Sequence, residues 1–234
     1  MTFNQYAYDI LESMRATLVD DESVDLRQVK FWINTQRALF LRNEYNKDNR
    51  NIDPNVIQEL GCVELEHADS AECCTVRSGC SIVRTKLELP VPVELHLGDM
   101  LTYVGPISKL KSQFLRINRN QAPWVNHGRF NKFIIHWFYF NHRIYLVFDS
   151  NNLEAKSLKY ISVAGVFEDP EVVGNFSTCS GTPCYDDSTK YPLNSWMYPY
   201  IKAAVLQLHA APEQNSPTDK ENDASSDSQP TITK

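Results

Sequence analysis

Apolar residues near the start of the chain fall at three- and four-residue steps: Phe3, Tyr6, Ala7, Ile10, Leu11, Met14 and Leu18. That spacing puts them on one face of a helix, which Asp20 and Asp21 end. Ser23 or Asp25 then offers an N-cap for a second helix over residues 26–47. Leu26, Val29, Ile33 and Phe40 lie at helical spacing there, Trp32 and Leu39 widen the apolar face, and no glycine or proline interrupts it. Pro54 predicts a third, short helix over residues 55–60, stopped by Gly61.

Beyond residue 62 the period changes to two. Thr85, Leu87, Leu89, Val91, Val93, Leu95 and Leu97 alternate with polar or proline positions, as in a half-buried strand. Pro90 and Pro92 remove ladder donors, so the strand is an edge or is broken there. Residues 133–140 and 144–148 flank the polar turn Asn141, His142, Arg143, the pattern of a hairpin. Residues 159–167 form a further strand, after which Asp169 can cap a helical turn opened by Pro170. Short strands with turn signals between them predict a sandwich or a small barrel. Helical spacing returns over residues 195–209, with Trp196, Tyr200, Ile201, Ala204, Val205 and Leu208 on the apolar side and Pro199 in the first turn. A helix this short needs a partner, and the N-terminal pair is the one expected. Residues 212–234 are polar, rich in Ser, Asp and Pro, and disordered by composition. The fold class is therefore α+β. A helical part at 1–61 is completed by a C-terminal helix at 193–210. Residues 62–192 are an inserted antiparallel β-sandwich or barrel-like domain, and 211–234 are a polar tail. There is no internal repeat.

Composition narrows the class. Hydrophobic residues at 42% and charged residues at 22% are those of an ordinary soluble domain, long enough at 234 residues to fold without disulfides. No run approaches the ~18 apolar residues of a membrane span, so no membrane partner is expected. Residues 1–16 lack the basic start and continuous apolar core of a signal peptide. Synthesis in a cytoplasm is expected, with the six cysteines reduced. Of the net charge of −6, much sits in the tail, where Glu213, Asp219, Glu221, Asp223 and Asp227 face only Lys220 and Lys234. The folded part stays mildly acidic, which gives no general case for a nucleic-acid binder.

Candidate chemistry is sparse. Cys73 and Cys74 are adjacent, Cys80 follows, and Cys179 and Cys184 lie close together. Structural zinc wants two short C-x₂₋₄-C knuckles, which the downstream pair meets loosely and the upstream trio does not. Ordinary thiols are the plainer reading. No G-x-S-x-G, H-E-x-x-H or G-x-x-x-x-G-K-[ST] motif is present. His127, between Asn126 and Gly128–Arg129–Phe130, is the most site-like histidine, although a loop histidine bonded to backbone is much the plainer reading. His136 and His142 read as packing and turn residues. No catalytic, cofactor-binding or metal residue is assigned, and no cofactor is implied. Arg27, Lys30, Arg37, Arg42, Lys47 and Arg50 outweigh Glu44 and Asp48 along the second helix and its exit. A solvated helix face is the usual explanation, and the sharper one is a face toward an acidic partner or passing DNA. Among the aromatics, 11% of the chain, are Trp124, Trp137, Tyr139, Trp196, Tyr198 and Tyr200. Most must be core, and a surplus near loops suits a subunit interface.

The run Phe31-Trp32-Ile33-Asn34-Thr35-Gln36-Arg37-Ala38-Leu39-Phe40-Leu41-Arg42-Asn43-Glu44 resembles the opening of head-to-tail connector (ring) proteins from crAss-like tailed phages. Later blocks resemble the same proteins in the same order. They are Ile52, Asp53 and Pro54 with Gly61, Cys62, Val63, Glu64 and Leu65; then His127 to Phe130; then Gly165, Val166, Phe167, Glu168, Asp169 and Pro170; then Tyr191 and Pro192 with Trp196, Met197, Pro199, Tyr200 and Ile201. The blocks end near residue 208 and omit the tail, and their co-linear order carries the resemblance. It implies a non-catalytic virion protein of the neck or tail, docked beneath the portal protein in a closed ring of identical copies matched to twelve-fold symmetry. The next ring or tail protein, and DNA in the channel, are further implied partners. Another particle protein, such as a tail hub or accessory ring, is the alternative within the class. A small Cys/His phage enzyme and a metal-stabilised binding module are the alternatives outside it. The tail would be an arm across neighbouring subunits that orders on assembly.

Overall fold

The computed structural model describes residues 1–16, 24–47, 52–69, 81–96, 98–108, 112–125, 133–149 and 151–209. Helices are α1 (Phe3–Arg15), α2 (Leu26–Lys47), a short α3 (Leu153–Ser157) and α4 (Tyr198–His209). The first begins with a reciprocal cap: Thr2 accepts the Gln5 N–H while the Gln5 side chain accepts the Thr2 N–H. Its buried face is Phe3, Tyr6, Ala7, Ile10, Leu11 and Met14, as the spacing predicts. Leu18, Asp20, Asp21 and Ser23 lie outside the described residues. The Asp25 carbonyl accepts from Gln28 and Val29, which makes Asp25 the N-cap position of α2.

The C-terminal helix starts three residues later than its pattern suggests, after turns at residues 195–197, and Pro199 falls in its first turn. It packs against both N-terminal helices. Trp32 stacks on His209 and Phe40 meets Tyr200, so α2 and α4 run antiparallel. Tyr198 and Lys202 of α4 both donate to the Asp9 carboxylate of α1, the lysine at 2.7 Å. Only Ile201 and Val205 of the expected apolar side are buried; Trp196, Tyr200 and Leu208 face outward.

Residues 55–60 do not form a helix. A 3-10 turn at Pro54–Val56 leads directly into β1 (Gln58–Asp69), where Gln58 and Leu60 point inward and Glu59 outward. The alternation outweighs the proline signal because a sheet is waiting on both sides. Instead of ending a helix, Gly61 makes a β-bulge with Cys62, shifting the pairing between Leu60 and Val63. The remaining strands are β2 (Ser81–Thr85), β3 (Glu94–Leu95), β4 (Gly98–Asp99), β5 (Leu101–Gly105), β6 (Leu115–Arg116), β7 (His136–Phe140), β8 (Arg143–Val147) and β9 (Tyr160–Gly165). A seven-stranded sheet has the order β5-β9-β1-β2-β8-β7-β6, antiparallel except at β6–β7, and β3–β4 pair apart. The first half of β1 pairs with β9 and the second half with β2.

The sheet curls until its edges meet. The Phe114 N–H donates to Val104 of edge strand β5 at 2.9 Å, while Leu115 and Ile117 donate to Ile135 and Trp137 on the opposite side. Segment 114–117 thus straps the two edges into a nearly closed barrel. Arg116 fastens the strap, donating twice to Asp99 at 2.9 Å and lying over the Trp137 ring. The long strand expected over 85–97 is broken at its prolines. Leu89 and Val93 point inward while Leu87 and Val91 are exposed. Pairing there runs through the residues that flank Pro92, with Val93 donating to Val166 and Glu168 to Val91 at 2.9 Å each. The β7–β8 hairpin turns at Asn141 and His142, both at positive φ (47° and 57°), as a two-residue primed turn requires.

Candidate functional site

Arg37 sits midway along α2 and is completely buried. Its Nε donates to the Pro192 carbonyl at 2.9 Å and its Nη1 to the Phe167 carbonyl at 2.8 Å, beside the Tyr191 ring. Burial pulls its pKa below the usual guanidinium value, opposed by Tyr191, Tyr185 and Asp169. One turn earlier, Asn34 accepts the Tyr191 hydroxyl at 2.7 Å and donates to Asp169 at 3.1 Å. Asp169 also takes the Glu171 N–H at 2.9 Å, ahead of a 3-10 turn at Val172–Asn175 that starts two residues later than expected and has Glu171 at its N-cap. Lys30 completes the row, 3.1 Å from both Glu171 and Asp187. Positions 30, 34 and 37 share one helix face, and that face ties α2 to segment 167–192. Lys30 and Arg37 therefore belong to the fold and not to a basic outer stripe. Arg27, Arg42 and Lys47 remain exposed, and Arg50 and Asp48 lie outside the described residues.

The thiol candidates separate. Cys73, Cys74 and Cys80 lie outside the described residues. Cys179 does not pair with Cys184 as a metal knuckle: it is joined by a disulfide to Cys62, with Cα atoms 5.2 Å apart. The two cysteines meet because the bulge at Gly61 and Cys62 faces loop 176–184, a pairing that the reading of separate thiols did not contain. Cys184 keeps a free thiol that accepts the Gly61 N–H at 3.5 Å, and burial raises its pKa. Among the described residues no group of His, Cys, Asp and Glu is placed to hold a metal ion. Cys62 has no cysteine near it in sequence, so no spacing signal could have found its partner.

His127 lies outside the described residues. His136 is a core residue of β7; burial lowers its pKa, opposed by the Ile134 backbone. His142 stays in the hairpin turn, its Nδ1 3.2 Å from the Tyr139 hydroxyl. Of the singled-out aromatics, Trp137 is core, Tyr139 is half-buried and Tyr198 bonds Asp9, whereas Trp124, Trp196 and Tyr200 face solvent.

Two apolar surfaces result. Along α2, exposed Phe31 and Leu39 border a groove of about 410 Å³ whose far wall is Glu168, Asp169 and Glu171. In the turn ahead of β7 stands Phe133 (81% exposed) and, on α3, Leu153 (79%). They are held near each other because Asn152 donates to the Phe133 carbonyl at 3.3 Å. Trp124, in the 3-10 segment Arg119–Trp124 that contacts β7, is 80% exposed. Exposed clusters of this kind mark contact surfaces. Several large apolar groups face outward beside the exposed charges, an arrangement suited to recognition.

A family model described as phage tail ring protein 2 matches residues 5–228. The match takes in every helix and strand described above, short only of the first two residues of α1, and continues past α4 into the polar tail, further than the co-linear blocks reach. No curated protein matches the chain. Among the described residues no helix is long and apolar enough to cross a membrane.

Proposed function

We propose, from the premise that the chain belongs to the family of phage tail ring protein 2, a ring protein of crAss-like phages, that it is a non-catalytic subunit of the head-to-tail connector, docked beneath the portal and linking capsid to tail. The family match over nearly the whole chain carries this reading. A closed ring of identical copies, matched to the portal's twelve-fold symmetry, needs a heterologous interface in which one patch meets a different patch on the next copy. The groove along α2 and the exposed pair Phe133 and Leu153 offer two such patches. Exposed Arg27, Arg42 and Lys47 are what is left of the basic stripe for the portal, the next ring or DNA in the channel. The division into helical parts at 1–61 and 193–210 around a β domain at 62–192, with the tail as an arm between copies, belongs to the same proposal.

The family description speaks of the tail, which favours a ring lower in the tail, or a tail hub, as the second reading. Quantitative mass spectrometry of purified particles tests both. A copy number equal to that of the portal subunit, or a small whole multiple of it, with cross-links to the portal, is the expected result. Cross-links to tail proteins alone would move the ring down the tail. Absence from particles would overturn both readings.

A further inference from the structure

We propose that Cys62 and Cys179 are a reversible thiol clasp, open while the subunit is made and assembled and closed by exchange with a small-molecule disulfide once the particle has left the reducing cytoplasm. The timing rests on the virion reading above; the chemistry of the pair does not.

The two cysteines are brought together by local architecture on both sides. In β1, Cys62 belongs to the bulge that shifts the pairing with β9 between Leu60 and Val63. A bulge re-aims side chains that a regular strand would hold in alternation. Facing it, loop 176–184 is built as a miniature hairpin. Ser177 bridges Pro183, Cys184 donates to Phe176 at 2.8 Å, Thr178 donates to Thr182 at 2.7 Å, and Gly181 turns the tip at φ +86°.

The seat of this loop does not depend on the sulfur–sulfur bond. Phe176 is buried at its base, and the Gly61 N–H donates to Cys184 Sγ at 3.5 Å. Gly61 also permits the close approach: a Cβ there would stand 3.2 Å from the Thr178 Cα. The thiols are therefore neighbours before they react, with Cα atoms at 5.2 Å, inside the range a disulfide requires.

Reagents can reach the pair. Cys179 is exposed and Cys62 partly so. A groove of about 520 Å³, lined by both cysteines with Glu64, Leu87, Ile107 and Tyr160, opens onto them. The Cys179 thiolate attacks one sulfur of a small disulfide such as oxidised glutathione, forming a mixed disulfide and releasing one small thiol. The Cys62 thiolate then attacks the Cys179 sulfur and expels the second. Two protein thiols give up two protons and two electrons, and the small disulfide takes them up as two thiols.

The test uses the full chain, reduced, freed of reductant without air, and then exposed to oxidised glutathione. Peptide mapping without reduction is expected to find the Cys62–Cys179 peptide. The melting temperature is expected to rise by on the order of 10 °C, since the bond closes a long loop in the unfolded chain, and to fall back with dithiothreitol. Cys184→Ser should still form the Cys62–Cys179 bond and gain stability on oxidation, whatever its own melting temperature, and Cys62→Ser and Cys179→Ser should show neither effect while still folding. Stable glutathione adducts at Cys62 or Cys179, or a different pairing, would overturn the clasp. In purified particles the pair should resist alkylation until reduced, whereas subunits trapped before lysis should be alkylated. Alkylatable Cys62 and Cys179 in released particles would sink the clasp and leave the ring standing. Absence of the protein from particles would sink the ring and the timing, while the chemistry of the purified chain would remain.

Discussion

Arg37 and Arg42 are one and a half turns apart on α2 and carry the same charge, yet one lies in the core and the other in water. What separates them is the pair of carbonyls at Phe167 and Pro192, which arrive from 130 and 155 residues away. Nothing local in the sequence announces them, so the charge alone reads as surface. Hydrogen bonds from an ionised donor are the strong kind, and a buried acceptor left empty costs its full desolvation. Arg37→Ala is therefore expected to lose about 3–5 kcal/mol, read from the urea midpoint. Arg37→Lys should also destabilise the protein, because one ammonium cannot span both carbonyls; a lysine variant as stable as the parent would refute the two-carbonyl account. Asp9 makes a milder case. The hydrogen bonds from Lys202 and then Tyr198 hold its carboxyl below the usual value. A depressed folded pKa gives stability that is present above the unfolded value, near ~3.9, and is lost as pH falls through the folded one. With the Asp9 side chain 44% exposed, Asp9→Asn should cost only about 0.5–1 kcal/mol at neutral pH. Unfolding curves of the two proteins should converge in strong acid, and a gap that persists there would assign the loss to packing.

At the level of elements, the helices were legible because their signal is local. The buried face of α1 is the one its spacing predicts, and α2 has the expected bounds. The hairpin was legible for the same reason, through Asn141 and His142. Errors arose where a local signal met a distant partner. Pro54 and Gly61 frame what looks like a short helix, but β2 and β9 recruit residues 58–69 into the sheet. Alternation over 85–97 looks continuous, but two prolines cannot donate, and the stretch is split among separate partners: Leu89 donates to His142, Val93 to Val166, and Glu94 and Leu95 pair with β4. The hairpin also yields a prediction. His142 holds φ at 57°, in the left-handed region that glycine enters without steric cost. His142→Gly should raise the melting point, by about 0.5–1 kcal/mol in free energy, because Asn-Gly suits this turn. A lowered melting point would show that the ring contact with Tyr139 outweighs the backbone relief.

For the whole molecule, closure of the barrel and the placing of its outer surface are collective results that no window of sequence contains. Trp137 and Trp124 have equal claims on paper, and only the strap at 114–117 decides that one fills the barrel and the other faces out. The basic stripe was visible, its partial use inside the fold was not, and the thiols were grouped by proximity in sequence when the true partner of Cys179 lies 117 residues away. If the outward apolar groups serve contacts between copies, the double variant Phe31→Ser, Leu39→Ser should change subunit stability by less than about 0.5 kcal/mol. Its copy number in particles should nevertheless fall sharply. Normal incorporation would remove the α2 groove from the interface. The link between Cys62 and Cys179 has a mechanical meaning as well. With the bond closed, tension applied between the two ends of the chain passes from residue 62 straight to residue 179. The chain in between, roughly 400 Å when pulled out at ~3.4 Å per residue, holds most of β1 and all of β2 to β9 and is taken out of the load path. With the bond open, the barrel stands in series with the terminal helices and must carry every tug itself. A ring subunit pulled by its neighbours would then be a spring with the pair open and a rivet with it closed.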